Sequence, residues 1–151
     1  SILSALGVGL FSGTDGFSAR VSGDQWLTSL RLTQRLAMLK QSSTELVSMT
    51  VTQSTSNWNI TIEFAGTTLN DFDIERNRVS FHNSTSDFAS SCDVLPSASF
   101  PITLYFDGYG DIVSAARNQL TSNTRLCFES GQTEELCISP SGYTYAGTCQ
   151  P

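Results

Sequence analysis

Four cysteines, one histidine and a few paired carboxylates are the side chains of this 151-residue sequence whose types and spacing could do chemistry. Cys92, Cys127, Cys137 and Cys149 all fall in the last 60 residues, and none sits in a C-x-x-C pair. An even count with that spacing predicts two disulfides formed in an oxidising compartment. Zinc is the rival use of such thiols, but it takes close ligand pairs, and His82 is the one imidazole that could join them. Ser-His-Asp chemistry would also have to recruit His82, which follows Val79 and Phe81 in a strand-like run, and no G-x-S-x-G elbow is present. His82 therefore reads as an ordinary surface or strand-end residue. Glu134–Glu135 and Asp71–Asp73 have the pairing used in acid/base hydrolysis, yet in so acidic a body they read as solvated faces. Asp107-Gly108-Tyr109-Gly110-Asp111 offers oxygen ligands on a flexible loop. Asp107 and Asp111 are thus calcium candidates, with Asp87 or Asp93 needed to complete a site. A tight turn accounts for the same glycines. No catalytic residue is assigned, no cofactor beyond that calcium candidate is expected, and the chain is read as non-enzymatic. Asn59-Ile60-Thr61 and Asn83-Ser84-Thr85 match the glycosylation sequon.

The elements that must position these groups change character near residue 42. From about Ala19 to Gln41 the pattern is helical, free of proline and interrupted only by Gly23. Its apolar residues lie on two sides, Trp26, Leu27, Leu30, Ala37 and Met38 against Val21, Leu32, Leu36 and Leu39. A surface helix needs one apolar face, so two faces predict either full burial or one side on the domain and the other on a partner. Beyond Ser42-Ser43 the period becomes 2: Val47, Met49 and Val51 alternate with polar residues, and Trp58, Ile60, Ile62 and Phe64 do so more cleanly. Ala65-Gly66-Thr67-Thr68 predicts a turn, and residues 83–99 a long loop. Further strands are predicted at Arg78–His82, Phe100–Phe106, Leu126–Glu129, Glu135–Ser139 and Tyr143–Ala146. One helix followed by seven or so short antiparallel strands is an α+β arrangement, the helix lying against the sheet.

In the last three strands Leu126 and Phe128 oppose Cys127, and Leu136 and Ile138 oppose Cys137. A hairpin centred on Gln132 would set the two sulfurs across from each other, favouring Cys127–Cys137 and leaving Cys92–Cys149 to tie the tail to the long loop. The rival Cys137–Cys149 would close a C-terminal loop. Trp26, Trp58, Phe64 and Phe106 occupy in-facing positions and predict core. Tyr105, Tyr109, Tyr143 and Tyr145 lie near turns and alternate outward, as candidates for an adhesive or subunit-contact surface.

Charge is divided unevenly. Up to Gln41, Arg20, Arg31, Arg35 and Lys40 outweigh Asp15 and Asp24, while from Ser42 on four arginines face twelve carboxylates. Those halves carry +2 and −8 and make up the net −6. Nucleic-acid affinity is mainly counterion release by cations, so no nucleic acid is expected as a partner. The chain opens on Ser1-Ile2-Leu3-Ser4-Ala5-Leu6-Gly7-Val8-Gly9-Leu10-Phe11, an uncharged apolar run about half the length of a bilayer span of about 20 residues. It reads as the back half of a longer hydrophobic helix whose front half is missing, followed by a break at Ser12-Gly13-Thr14-Asp15-Gly16. The expected organisation is residues 1–18 as that truncated helix and glycine-rich break, and 19–151 as one globular domain.

These pieces resemble the type IV pilin and type II secretion pseudopilin superfamily, within it the H-type minor pseudopilins and FimT-like or MSHA-type minor pilins. Ile2-Leu3-Ser4-Ala5-Leu6 is similar to the middle of the pilin N-terminal helix, with Gly9 where a proline is usual. Leu27-Thr28-Ser29-Leu30-Arg31-Leu32-Thr33-Gln34-Arg35-Leu36-Ala37-Met38 resembles the LxxLRxAQxxAM helix of these proteins. Tyr105-Phe106-Asp107-Gly108-Tyr109-Gly110 resembles their strand ending in Phe-Asp/Asn-x-x-Gly. The resemblance implies a pilin-like α+β domain and a structural subunit in the assembly or initiation of a pilus or secretion pseudopilus. It also implies an inner-membrane and periplasmic precursor that later enters the fibre. Ile2, Leu3, Leu6, Val8, Leu10 and Phe11 would pack against other pilin-type subunits, and Gly7, Gly9, Gly13 and Gly16 would let the stem bend. A secreted β-sandwich binding module, adhesive or carbohydrate-binding, is the alternative.

Overall fold

The computed structural model describes residues 15–150, with side chains from Ser18. The stem residues Ile2, Leu3, Leu6, Val8, Leu10 and Phe11, with Gly7, Gly9 and Gly13, lie outside the described residues. In chain order the elements are helix α1 (Asp15–Lys40), β1 (Val47–Gln53), β2 (Asn57–Phe64), β3 (Thr67–Glu75), β4 (Ser80–Ser84), a 3-10 turn (Cys92–Val94), β5 (Ile102–Phe106), β6 (Ile112–Val113), β7 (Thr124–Ser130), β8 (Gln132–Ile138) and β9 (Thr144–Ala146).

Helix α1 starts within the predicted break, taking in Asp15 and Gly16. It stops at Gln41, whose φ of 51° is left-handed and whose N–H bonds the Ala37 carbonyl at 3.2 Å; this closes the last turn as a C-cap glycine would. The buried side of α1 runs through Ala19, Ser22, Gly23, Trp26, Ser29, Leu30, Thr33 and Ala37, one stripe at helical spacing. Two of its hydroxyls are satisfied inside the helix: Ser29 donates to the Gln25 carbonyl at 2.8 Å and Thr33 to the Ser29 carbonyl at 2.8 Å. Full burial of the helix is thus corrected, since Met38 and Leu39 are exposed.

Two antiparallel sheets receive that stripe. One has the order β3-β2-β1-β5-β6 and the other β4-β7-β8-β9. Val47, Met49, Val51, Trp58, Ile60, Ile62 and Phe106 point inward from the first, and Phe81, Leu126, Phe128, Leu136 and Ile138 from the second. Trp26 is the pin between them. Its ring stacks on Phe81 at 4.7 Å and meets Phe128 at 5.4 Å and Trp58 at 5.6 Å, so one helical side chain touches both sheets. Of the expected core aromatics, Trp26, Trp58 and Phe106 are fully buried. Phe64 is half-buried, with Lys40 Nζ 5.2 Å over its ring.

The described residues are 40% strand and 20% helix, which corrects the expected pilin-like α+β class to a mainly β domain with one helix laid across two sheets. Two strands, β3 and β6, were not expected. Strand β3 begins at Thr67, inside the predicted turn, because Ala65 and Gly66, both at positive φ, suffice to reverse the chain.

The preferred disulfide pairing is corrected too. Cys92 bonds Cys127, and the rival closure Cys137–Cys149 is the second bridge. The β7–β8 hairpin is centred on Gly131, with Ser130 opposite Gln132, so Cys127 faces Glu135 and Cys137 faces Arg125. One residue of difference in the turn moves the cross-strand partner by two. Both bridges lie on the outer face of the second sheet, where the long loop and the C-terminal tail cover it.

Candidate interaction surface

Five large hydrophobic side chains are exposed among the described residues: Met38, Leu39, Val94, Tyr109 and Tyr143. Three of them, Met38, Leu39 and Tyr143, line a depression of about 450 Å³ together with Arg31, Gln34, Arg35 and Thr144. The α1 residues come from its last two and a half turns. Arg31, Arg35 and Leu39 recur every four residues and so share one face.

Backbone contacts make the surface rigid. Gln34 Nε2 donates to the carbonyls of Gly110 at 3.0 Å and Ser141 at 3.3 Å, joining the β5–β6 and β8–β9 turns beneath the helix. Arg31 Nη2 donates to the Thr144 carbonyl at 3.1 Å. Gly142, at φ +83°, lies so close to the Gly110 carbonyl oxygen that a Cβ has no room. Tyr143 then stacks on Tyr145, ring centroids 5.6 Å apart, and Tyr109, next to Gly110, is 85% exposed. Cations beside exposed aromatic and aliphatic groups suit recognition: Tyr, Met and Arg are the side chains enriched in protein contacts.

No protein-family model, curated protein or solved structure matches the chain. The site must therefore be read from its own residues.

Of the four tyrosines proposed for a contact surface, Tyr143 and Tyr145 meet and Tyr109 stands beside Met38's neighbour Gly110. Tyr105 is elsewhere, in a polar depression with Glu45, Ser48, Glu63 and Arg117. Met38, placed by periodicity with Trp26, and the arginines Arg31 and Arg35 were not singled out. The four-residue repeat Arg31–Arg35–Leu39 was the signal for them.

The calcium candidates form a turn. Asp107 Oδ1 accepts the N–H groups of Tyr109 and Asp111, both at 3.0 Å. Burial, then the Asp107 carboxylate, pushes the Asp111 carboxyl up. Among the described residues no third ligand atom gathers with them. Asp87 instead caps its own loop through Ala89 and Ser90 N–H groups, bonds that hold its carboxyl below the usual range, while Asp93 sits in the exposed 3-10 turn.

His82 is buried rather than superficial. Its Nδ1 lies 3.0 Å from the Leu95 carbonyl and its Nε2 4.0 Å from Glu129, which ties the long loop to β4. The carboxylate pairs are split or occupied. Glu135 receives Arg125 Nη2 at 2.8 Å in a nearly buried pair. Glu134 packs its stem on Gly23, and burial followed by the Asp24 charge pushes its carboxyl up against the pull of Arg20. Asp71 and Asp73 both accept from the Asn59 amide at 2.9 Å, so that sequon asparagine is engaged. Cys92, Cys127 and Glu135 are the one three-ligand group among the described residues. Both sulfurs are spent in a disulfide and Arg125 neutralises the carboxylate, so the donor set does not suit a cation.

Proposed function

We propose that the chain is a non-enzymatic minor pilin or minor pseudopilin, a structural subunit in the assembly or initiation of a type IV pilus or type II secretion pseudopilus. The observation that carries this reading is the join at the N-terminus. Fourteen residues without a charge, Ser1–Thr14, lead in sequence directly into α1, a 26-residue helix whose inner stripe is buried by both sheets. In this reading α1 would transmit force on the apolar run to the whole domain. Among the described residues no helix is long and apolar enough to cross a membrane; in this reading the apolar run Ile2–Phe11 would do the anchoring. Burial of Ile2, Leu3, Leu6, Val8, Leu10 and Phe11 among other stems would drive assembly at about 25 cal/mol per Å². The precursor would reside in the inner membrane facing the periplasm, where the disulfides form, before it joins the fibre at the cell surface. The disulfide-tied sheet and the Tyr143–Arg31 surface would face neighbouring subunits or the exterior.

The test places a photo-crosslinking amino acid at Leu6 or Leu10 of the intact gene product in its own host. Cross-links to other pilin-type stems are expected. Cross-links confined to secretion chaperones, or none, with glycan binding by the lone domain, would move the assignment to a secreted binding module.

A further inference from the structure

We infer that the Arg31–Arg35–Met38–Leu39–Tyr143 surface docks the Asp71–Asp73 pair of a second copy of this chain, a head-to-tail contact between identical domains that stands whether or not the chain enters a fibre. Three observations carry it. Charge is the first: among the described residues only His82–Glu129 and Arg125–Glu135 form ion pairs. Arg31, Arg35, Asp71 and Asp73 thus have no salt-bridge partner among the described residues. Spacing is the second. Four helical residues advance about 6 Å, and two strand residues about 6.8 Å, so Arg31 and Arg35 match Asp71 and Asp73 in pitch and can meet them two on two.

Preorganisation is the third. Asn59 holds the two carboxylates side by side on the outer face of β3 with 2.9 Å bonds to each, placed to meet a pair of cations. On the other side, Gln34 and the Thr144 carbonyl hold the receiving surface in place. Charged residues on an edge strand also deter strand pairing, but that role needs neither the bridging amide nor the matched pitch. Strands β2 and β1 separate β3 from β5, three strand spacings or about 14 Å, and the receiving surface lies beyond β5 at the β5–β6 turn. Neither arginine pairs with either aspartate within one molecule. The contact is heterologous, and repeated copies extend a row instead of closing a dimer. Exposed Leu39 and Met38 beside the arginines supply the apolar part.

Sedimentation of the full chain up to millimolar concentration, at low and high salt, tests this. Self-association that weakens with salt is expected. Arg31→Glu/Arg35→Glu and Asp71→Lys/Asp73→Lys should each lose it by about tenfold or more, and an equimolar mixture of the two variants should recover it. Leu39→Ser, an exposed site that leaves the fold intact, should weaken it as well. A chain that stays monomeric throughout, or an association indifferent to both charge reversals, overturns the inference. Neither result touches the behaviour of the apolar stem, which the crosslinking at Leu6 reads separately.

Discussion

Replacing Gly142 by alanine tests the geometry that builds the exposed surface. The residue sits at φ +83°, and an added Cβ would overlap the Gly110 carbonyl oxygen and stand 2.7 Å from Gln34 Nε2. The left-handed conformation alone costs an alanine about 1 kcal/mol. Relief of the overlap requires the β5–β6 and β8–β9 turns to separate, which breaks the two Gln34 hydrogen bonds at about 1 kcal/mol each. The expected loss is about 3 kcal/mol, or about 6–12 °C in Tm for a domain of this size. Gly66 is the control: its φ is +81° but nothing lies within 4 Å of its Cβ, so Gly66→Ala should lose only about 1 kcal/mol. Urea denaturation of the two variants gives the difference directly. Equal losses would refute the close approach of the two turns, and with it the shape of the surface around Tyr143.

Trp26→Ala should cost about 3–5 kcal/mol in denaturant unfolding, because it removes the ring that joins both sheets. Trp26→Phe should cost less, since the indole N–H has no partner to lose. Arg125→Met or Glu135→Leu alone should each destabilise by about 3–5 kcal/mol by leaving a buried charge, whereas the double variant should recover most of that loss; additivity would contradict the pairing. For Glu134 the folded-state carboxyl is raised above its ordinary value. Its stabilising, protonated form is complete below the unfolded value and lost as pH rises through the folded one. The charged group is therefore a burden at neutral pH. Glu134→Gln should raise Tm at pH 7 and give no gain near pH 4, and a gain that persists in acid would contradict it.

Strands with strict alternation were legible in the sequence: Trp58, Ile60 and Ile62 sit inward in β2 as their period required. Strand β3 was not, because its apolar residues Leu69, Phe72 and Ile74 break the period across a register shift opposite Ile62/Glu63, and an edge strand tolerates that. The helix was read as two-faced because Ser22, Ser29 and Thr33, which complete its buried stripe, score as polar, although the Ser29 and Thr33 hydroxyls bond the preceding turn. Hairpin register decided the disulfides, and one residue in the position of the β7–β8 turn separates the expected pairing from the observed one. The contact surface was half legible. Its tyrosines showed as outward aromatics, but their meeting with Arg31, Arg35 and Met38 depends on Gln34 and Gly142 drawing two distant turns beneath one helix.

The most direct measurement is fractionation of cells expressing the intact gene product, with surface appendages sheared off and blotted for this chain. Recovery in the envelope and in the sheared fraction, lost from the latter on Leu6→Lys, is the predicted result. A product found only free in the periplasm or medium, with Leu6→Lys indistinguishable from wild type, would contradict the assignment as a fibre subunit.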